Sequence, residues 1–400
     1  MSEEKRETTA DKPARRRSIP RVLFRLAVYA AVIFALVRVF IFHDVEAFRV
    51  SSSSMEPTLV GGEDYGDNIL VNRLSYTLGG PERWDVAVFR FPPERKGYEQ
   101  EEGKIYVKRI AGMPGETLYI QSGDLYIERG PDEKPEILKK PNSLQKRLWL
   151  TVYEMARLTG PVSDYWDTGT RFWSEKDGGL EFDGSDVKSE TRFLHTVLDK
   201  ASHTVGDLYI GLDVRVEEGT GGISIFLRED EYTTFELRLA SEGTPAHIWT
   251  PVVQISGINS ILTGLPRLEP GTTHRIEISN VDDTVTFKFD DKVIHKTDYT
   301  EERPYLLAEP EIKISARGIR TRIENITIKR DIYYTGDAPD GRYADGPHNA
   351  IHIPEDSYFM LGDNSALSAD SRTWGCVPRE NLIGRAFLIF HPFSRISLIR

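Results

Sequence analysis

Side chains that could carry out acyl transfer are concentrated in three short segments of this sequence. Residues 48–59 read F-R-V-S-S-S-S-M-E-P-T-L, residues 106–116 read Y-V-K-R-I-A-G-M-P-G-E, and residues 362–375 read G-D-N-S-A-L-S-A-D-S-R-T-W-G. A serine hydroxyl becomes a nucleophile when a neighbouring base removes its proton, and a neutral lysine amine can be that base. Taken singly, the first segment is equally typical of a linker, the second of a solvated strand face, and the third of a structural turn network.

Taken in order, the three segments resemble a known set of motifs. The patterns S-M-x-P-T-L, K-R-x-x-G-x-P-G-E and G-D-N-S-x-x-S-x-D-S-R are similar to the signature boxes of the type I signal peptidases, or leader peptidases. D-N-I-L-V-N at residues 67–72 resembles a further box between the first two. The resemblance covers roughly residues 20–140 and 335–400 and implies a serine endopeptidase with a Ser/Lys dyad.

The resemblance implies a role for each matching residue. Ser54, which precedes Met55, corresponds to the nucleophile, and Lys108 corresponds to the general base. A free lysine titrates near ~10.4, so lowering its pKa by roughly 2 to 3 units would cost about 3 to 4 kcal/mol. Burial among apolar neighbours such as Tyr106 and Val107 could supply that shift, and lysine, unlike arginine, can be shifted in this way.

Supporting roles are also implied by the resemblance. Ser52 corresponds to the hydroxyl that helps the Ser54 N–H hold the oxyanion, and Ser368 to the serine that orients the lysine. Asp370 and Arg372 correspond to an ion pair that supports the site from behind. The usual Pro and Gly of the first box are replaced here by Ser51 and Ser53, which affects the expected backbone rigidity and pocket detail.

The substrate implied by the resemblance is the signal peptide of an exported preprotein, cut after small residues at the first and third positions before the scissile bond. Shallow apolar pockets would explain this preference. By motif position, the residues expected to line them are Phe48, Val50, Met55, Tyr106 and Val107. Neither a metal nor a cofactor is required.

An N-terminal membrane anchor is predicted to position the site. Residues 1–20 form a basic tail, and residues 21–43 contain about the ~20 predominantly apolar residues that cross a bilayer. The alternative, a cleavable secretory signal, would need small residues at its cleavage site, whereas residues 40–46 read F-I-F-H-D-V-E. The positive-inside rule places the tail in the cytoplasm and the rest outside. The prediction is a single-pass protein of the bacterial inner membrane, in contact with the lipid bilayer, with its catalytic domain on the outer (periplasmic) side.

The remaining elements are predicted to be mainly β. Short strands with turn punctuation at residues 44–141 and 336–400 should form one signal-peptidase-type catalytic domain. Between them, residues 142–335 should form an inserted domain, a helix over Ser143–Leu158 followed by a lectin- or glucanase-like β-sandwich. Turns are expected at V-D-D-T (residues 281–284) and D-D-K (residues 290–292).

The function of the inserted sandwich stays open between a glycan-binding role and a protein-interaction or spacer role. Candidate sugar contacts are Trp249, Asp213, Glu236 and Glu277. One alternative for the whole chain is a membrane-anchored glycan- or protein-binding protein with inactive protease boxes; another is a self-cleaving protease of the SOS-repressor type. The net charge of −11 argues against nucleic acid, and the single Cys376 excludes an intrachain disulfide.

Overall fold

A computed structural model describes residues 19–62, 65–130, 133–184, 187–229, 233–241, 246–249, 264–299, 309–335 and 346–399. The predicted basic tail at residues 1–20 lies almost wholly outside this part. The helices are α1 (Ile19–Asp44), α2 (Leu74–Leu78), α3 (Asn142–Leu148) and α4 (Ser371–Trp374). The strands are β1 (Val45–Arg49), β2 (Asn68–Asn72), β3 (Val86–Arg90), β4 (Ile105–Gly112), β5 (Thr117–Gln121), β6 (Asp124–Glu128), β7 (Glu136–Ile137), β8 (Leu150–Glu154), β9 (Trp173–Lys176), β10 (Gly179–Gly184), β11 (Ser189–Arg192), β12 (Leu208–Arg228), β13 (Thr234–Ala240), β14 (His247–Trp249), β15 (Thr273–Val281), β16 (Thr284–Phe289), β17 (Lys292–Asp298), β18 (Glu311–Arg330), β19 (Ile351–His352), β20 (Ser357–Leu361), β21 (Val377–Pro378), β22 (Leu382–His391) and β23 (Ser397–Leu398).

The prediction of a mainly β fold is confirmed. One sheet has the order β1-β2-β22-β3-β4-β20-β21, with β23 paired to β22, and a smaller sheet has the order β19-β5-β6-β7. Both sheets combine strands from the two ends of the chain, and we call them together the outer domain. A third sheet contains strands β8–β18, here called the inserted module.

The inserted module is organised around two long strands. β12 and β18 pair along their lengths, and β15, β13, β10, β11 and β8 pair with one or the other. β12 runs from Leu208 to Arg228 and continues through the glycine-rich stretch E-E-G-T-G-G at residues 217–222. Register shifts between Gly219 and Gly222 and at two earlier points let the strand continue, because a bulge absorbs an extra residue without ending the pairing.

Two predicted turns of the inserted module are confirmed. Asp282 and Asp283 both have positive φ, 48° and 53°, and they connect β15 to β16. Asp290 and Asp291 have φ of 45° and 62° and connect β16 to β17. Aspartate tolerates the left-handed region better than most residues, and two such residues give the twist that a hairpin needs.

The predicted helix over Ser143–Leu158 is too long. α3 ends at Leu148, and Leu150–Glu154 forms β8, which pairs with β18. The residues after Leu148 read W-L-T-V-Y, and β-branched and aromatic side chains favour a strand where a partner is available. Leu144 and Leu148 pack in the core of the smaller outer sheet, so α3 is part of the connection rather than of the module's own core.

The predicted anchor is helical. α1 covers residues 19–44 and continues directly into β1. Apolar side chains on its described part are exposed, among them Phe24, Ile33 and Phe34 at 70%, 61% and 63%. Within the portion of the chain that is described, no helix combines the length and the apolar character needed to cross a membrane.

Candidate active site

Ser54 lies in a single 3-10 turn, Ser53–Met55, that follows β1. Met55 is fully buried and packs with Val50 and Leu59 in the core beneath the larger sheet. The Leu59 N–H donates to the Met55 carbonyl at 2.9 Å, which closes the next turn of chain. Burial of the apolar residue next to it therefore fixes Ser54, whose own exposure is 6%.

Lys108 approaches Ser54 from the middle of β4. Its backbone pairs with Ala87 of β3, and its side chain is 3% exposed. The Lys108 Nζ donates to the Ser54 Oγ at 2.5 Å, although 54 residues separate them along the chain. The structure thus brings together the two side chains that the sequence predicted as nucleophile and base.

The environment of Lys108 favours the neutral amine. Burial lowers its pKa from 10.5 to about 8, and this outweighs the carboxylates of Asp370 and Asp363, which raise it. The Arg372 guanidinium acts in the same direction as burial. About half of the amines are then neutral near pH 8, compared with a small fraction for an exposed lysine.

Ser52 and Ser368 both lie near the Ser54 turn. The hydroxyls of Ser52 and Ser54 are 3.2 Å apart, which places Ser52 beside the candidate nucleophile. The Ser368 Oγ is buried, and among the described residues its hydroxyl lies close enough to Asp370 to help hold the pKa of that carboxyl below its usual value. No hydrogen bond joins it to Lys108 in that part of the chain, so its lysine-orienting role stays a prediction, as does the oxyanion role of Ser52.

Gly362 lies in close contact with both Ser368 and the backbone of Ser54. A Cβ added there would lie 2.1 Å from the Ser368 Oγ and 2.5 Å from the Ser54 carbonyl oxygen. Only hydrogen fits such a space, so the glycine is required by proximity. The G-D-N turn therefore lies directly against the backbone of the candidate nucleophile.

Asp370 and Arg372 form a buried ion pair behind this turn. The Arg372 Nε and Nη2 donate to the two Asp370 oxygens at 2.9 and 2.8 Å. Asp370 also accepts from the Gly362 N–H at 3.0 Å. Burial raises the pKa of Asp370, but the Arg372 guanidinium outweighs this effect and holds the carboxyl below its usual value.

A second buried ion pair was not predicted from the sequence. Arg109 is fully buried and donates to both Asp363 oxygens, from Nε at 2.7 Å and Nη2 at 2.6 Å. It also donates to the Trp84 carbonyl at 2.7 Å and to Thr58 at 3.1 Å. Because Lys108 and Arg109 point to opposite faces of β4, one strand supplies both the candidate base and a support for the turn that carries Asp363.

Asn364 is the other positioning residue that sequence reasoning missed. Its backbone N–H donates to the Ser54 carbonyl at 3.0 Å, and its side-chain Nδ2 donates to the Ser53 carbonyl at 2.9 Å. The sequence indicates only that this segment is rich in turn-forming residues. The position of an amide in a G-D-N turn is a weak signal, because asparagine is common in turns for local reasons.

The five predicted pocket residues are divided between two clusters. Val50 and Met55 are buried in one cluster, with Phe48 and Val107 packed against it. Tyr106 packs instead with aromatic residues that include Phe91 and Trp374. Its ring centroid is 5.7 Å from the Lys108 Nζ, on the same face of β4.

The candidate sugar contacts of the inserted module have protein partners. Asp213 accepts from Arg275 at 3.1 Å, and Glu277 accepts from Tyr209 at 2.9 Å. Glu236 lies 3.5 Å from His247. The side chain of Trp249 lies outside the described residues. The structure therefore brings Asp213 and Glu277 to one face, near Arg275. Both carboxylates accept hydrogen bonds from side chains of the protein itself.

Three buried carboxylates lie close enough together to hold a cation. Asp124, Asp207 and Asp282 each offer one oxygen, and the three oxygens lie within 4.8 Å of one another. The neighbouring Lys140 ammonium is 2.5 Å from an Asp282 oxygen and 3.0 Å from Asp331. This group connects the outer domain to the inserted module.

Comparison with known proteins agrees with the motif pattern. The family model described as signal peptidase, peptidase S26, matches residues 21–166 and 282–391, which together are more than half of the chain. The chain belongs to this family. The unmatched gap, residues 167–281, falls within the inserted module.

Individual members of the family are similar over shorter stretches. "Probable signal peptidase I-2" of Synechocystis is 41% identical over 73 residues, covering 17% of this chain and 34% of that protein. Signal peptidase I of Pseudomonas aeruginosa is 35% identical over 124 residues, covering 26% and 39%. Signal peptidase I T of Bacillus subtilis is 32% identical over 148 residues, covering 36% and 68%. The chain thus spans less than half the length of the first two proteins.

One solved structure shows a weak likeness to part of the chain. A carbohydrate binding module from Bacillus subtilis covers 41% of this chain and 94% of its own, at 12% identity and a TM-score of 0.30. At that score the likeness supports no conclusion about ligands.

Proposed function

We propose that this protein is a serine endopeptidase that removes signal peptides from exported preproteins at a bacterial membrane. The observation that carries the proposal is the 2.5 Å contact between the Lys108 Nζ and the Ser54 Oγ, in surroundings that lower the pKa of the amine to about 8. Family membership supports the choice of signal peptides as the substrate class.

The chemistry is acyl transfer in two steps. Lys108 accepts the Ser54 proton while the Ser54 Oγ attacks the scissile carbonyl carbon, and the ammonium then protonates the leaving amine as the peptide bond breaks. Lys108, neutral again, removes a proton from a water that attacks the acyl-enzyme ester; the bond between the acyl carbon and the Ser54 Oγ breaks, and the ammonium returns the proton to the Ser54 Oγ. Each proton that the lysine takes up is returned, so no other reactant is needed.

The oxyanion of this reaction is assigned to the Ser54 turn. Ser52, at 3.2 Å from the nucleophile, supplies a hydroxyl, and the Ser54 backbone N–H supplies a second donor. Two donors fixed before the reaction stabilise the developing negative charge without reorganisation, and loss of one such donor typically costs about 10² to 10³ in kcat.

The central test is cleavage of a synthetic preprotein peptide with alanine at the first and third positions before the scissile bond. With the full chain in detergent, we expect Ser54→Ala and Lys108→Ala each to lower kcat by at least about 10³, since loss of a nucleophile or base leaves only residual catalysis. Ser51→Ala, in the same serine run but exposed, and Lys104→Ala, on the exposed approach to β4, are the matched controls. Full activity in Lys108→Ala would rule out the mechanism.

Attachment to the membrane is proposed to occur through α1, with the basic tail in the cytoplasm. The exposed apolar side chains of α1, including Phe24, Ile33 and Phe34, support this assignment. Placing Asp at both Val32 and Ile33 should release the protein from carbonate-washed membranes, because each central charge costs about 2.5 to 3.5 kcal/mol on insertion scales. Leu78→Asp, at an exposed apolar residue outside α1, should leave the protein bound. Release of the wild-type protein by carbonate would contradict the attachment, and protection of an N-terminal tag from added protease tests the orientation.

A further inference from the structure

The chain leaves the inserted module through residues 331–335, here called the exit arm. At its start, the Asp331 carboxylate accepts from Gln145 at 2.7 Å and pairs with Lys140 at 3.0 Å. In its middle, Tyr334 is buried in the core of the smaller outer sheet, and its N–H donates to the Gly123 carbonyl at 3.0 Å. The arm is therefore held on both sides before it reaches the active-site region.

The last residue of the exit arm contacts the ion pair behind the active site. The Arg372 Nη1 donates to the Thr335 carbonyl and to the Thr335 Oγ1, both at 3.1 Å. The same guanidinium donates to the Ser365 Oγ at 2.9 Å and to the Ser365 carbonyl at 2.8 Å. The Thr335 N–H donates in turn to the Ser365 Oγ at 3.3 Å. Thr335, Ser365 and Arg372 are all at least nine-tenths buried.

Two connections join this group to the Ser54 turn. Ser365 directly follows Asn364, whose N–H and side chain bond to the carbonyls of Ser54 and Ser53. Asp370, paired with Arg372, accepts from the Gly362 N–H, and Gly362 lies against the Ser54 carbonyl. A displacement of the Arg372 guanidinium would therefore move both ends of the G-D-N turn.

We propose that Thr335 is a positioning residue for the Ser54–Lys108 pair, so that the exit of the inserted module is part of the active-site support. This inference rests on the proposed peptidase function. The physical reason is the position of the Arg372 Nη1, which lies between the carbonyl and hydroxyl of Thr335 and the hydroxyl of Ser365. Without the Thr335 hydroxyl, the two N–H groups of Nη1 keep only the Thr335 carbonyl and the Ser365 Oγ as acceptors, so the guanidinium shifts toward Ser365 and takes the turn with it.

The consequence for catalysis is loss of alignment rather than loss of substrate binding. Thr335 does not touch Ser54 or Lys108, so its removal should lower kcat and leave KM unchanged. Small displacements of reacting groups have large effects, about 10²-fold for a displacement of about 1 Å.

The test compares two variants. Thr335→Val removes the hydroxyl and keeps the shape of the side chain, whereas Thr335→Ser keeps the hydroxyl and removes the methyl group. The matched control is Thr321→Val, because Thr321 is a buried threonine of β18 whose hydroxyl donates to the Arg215 carbonyl at 3.0 Å within the inserted module. With the alanine-containing preprotein peptide, we expect kcat to fall about 10-fold in Thr335→Val, with KM unchanged, and to return within about 2-fold of wild type in Thr335→Ser. Thr321→Val should keep the wild-type kcat even if its Tm falls.

The outcomes separate this inference from the proposed function. If the wild-type chain does not cleave the peptide, the proposed function fails. If the wild type cleaves it and Thr335→Val is equally active, or if Thr335→Ser is as impaired as Thr335→Val, the positioning role is overturned. Should Thr335→Val not fold, Ser365→Ala removes the hydroxyl shared by Arg372 and Thr335, and a wild-type kcat in that variant would overturn the inference equally.

Discussion

The reactivity assigned to Ser54 depends on the state of one amine. Holding Lys108 with a pKa near 8 instead of 10.5 costs about 3 kcal/mol, at about 1.4 kcal/mol for each pH unit. That energy is supplied by the rest of the fold, which buries the side chain in the larger outer sheet. A lysine on the solvent-exposed face of a strand would remain charged and could not accept a proton from Ser54 near neutral pH.

The pH dependence of cleavage should report this amine directly. Because the base acts in its neutral form, and because the pKa of Lys108 is lowered to about 8, kcat/KM should rise with pH and level off above about 8. Below that value it should fall about 10-fold for each pH unit. Steady-state cleavage between pH 6 and 9.5 checks this, with Tm recorded at each pH as the control for folding. A rate that does not change across this range would show that Lys108 is not the base.

Individual elements position the site from two directions. β4 presents Lys108 to the nucleophile, while the G-D-N turn after β20 holds the carbonyls of Ser53 and Ser54 through Asn364. The two elements are also neighbours in the sheet, since β20 pairs with β4. The Arg109–Asp363 ion pair fastens the turn to the strand on the face away from Lys108.

Removal of Arg109 should therefore weaken folding more than chemistry. Arg109→Ala leaves the Asp363 carboxylate buried without its cation, which we expect to reduce the free energy of unfolding by about 3 to 5 kcal/mol. Cleavage should be partly retained, because Ser54 and Lys108 are unchanged. Urea unfolding and kcat of the folded fraction measure the two effects, and Arg90→Ala, an exposed arginine at the end of β3, is the control. Unchanged stability in Arg109→Ala would show that the ion pair contributes nothing to the fold.

Across the molecule, the inserted module is joined to the outer domain by a buried charge group. Lys140, just before α3, contacts Asp282 of the β15–β16 turn and Asp331 of the exit arm. Burial alone would lower the pKa of Lys140, but these carboxylates raise it well above its ordinary value. The ammonium thus connects the chain that enters the module with two segments of it.

Replacement of Lys140 should separate these parts. Lys140→Met leaves Asp282 and Asp331 buried without a cation, and we expect a loss of about 3 to 5 kcal/mol in the free energy of unfolding at pH 8. In the wild type, a raised lysine pKa gives a contribution that is fully present below about pH 10 and constant between pH 5 and 8. The carboxylates of the variant take up protons as the pH falls, so the deficit should narrow towards pH 5.

Urea unfolding at pH 5, 6.5 and 8 checks this, and Lys146→Met, at an exposed lysine of α3, provides the comparison. A deficit of equal size at all three pH values would show that buried carboxylate charge is not its cause.

The strand content and the chemistry of the site could be predicted from the sequence because both depend on local information. Alternation of apolar residues and aspartate pairs at turns predicted the β15–β16–β17 hairpins, since a strand has a period of two and these turns require positive φ. The residues around Ser54, Lys108 and Asp370 were identified by family motifs that are short and contiguous. Where a local signal was ambiguous, as in the residues after Leu148, pairing with β18 decided for a strand.

The tertiary structure alone decided which distant groups support the site. Nothing in the residues around Arg109 indicates that it meets Asp363, and nothing around Thr335 indicates that it meets Arg372, because such contacts join segments that are far apart in the chain. The same holds for the burial of Lys108. Its neighbours in sequence suggest a partly apolar strand, but the extent of burial depends on the packing of the larger outer sheet and on the turn that carries Ser54. Short contiguous motifs are thus enough to identify the reacting groups, whereas the protonation and alignment of these groups depend on long-range packing.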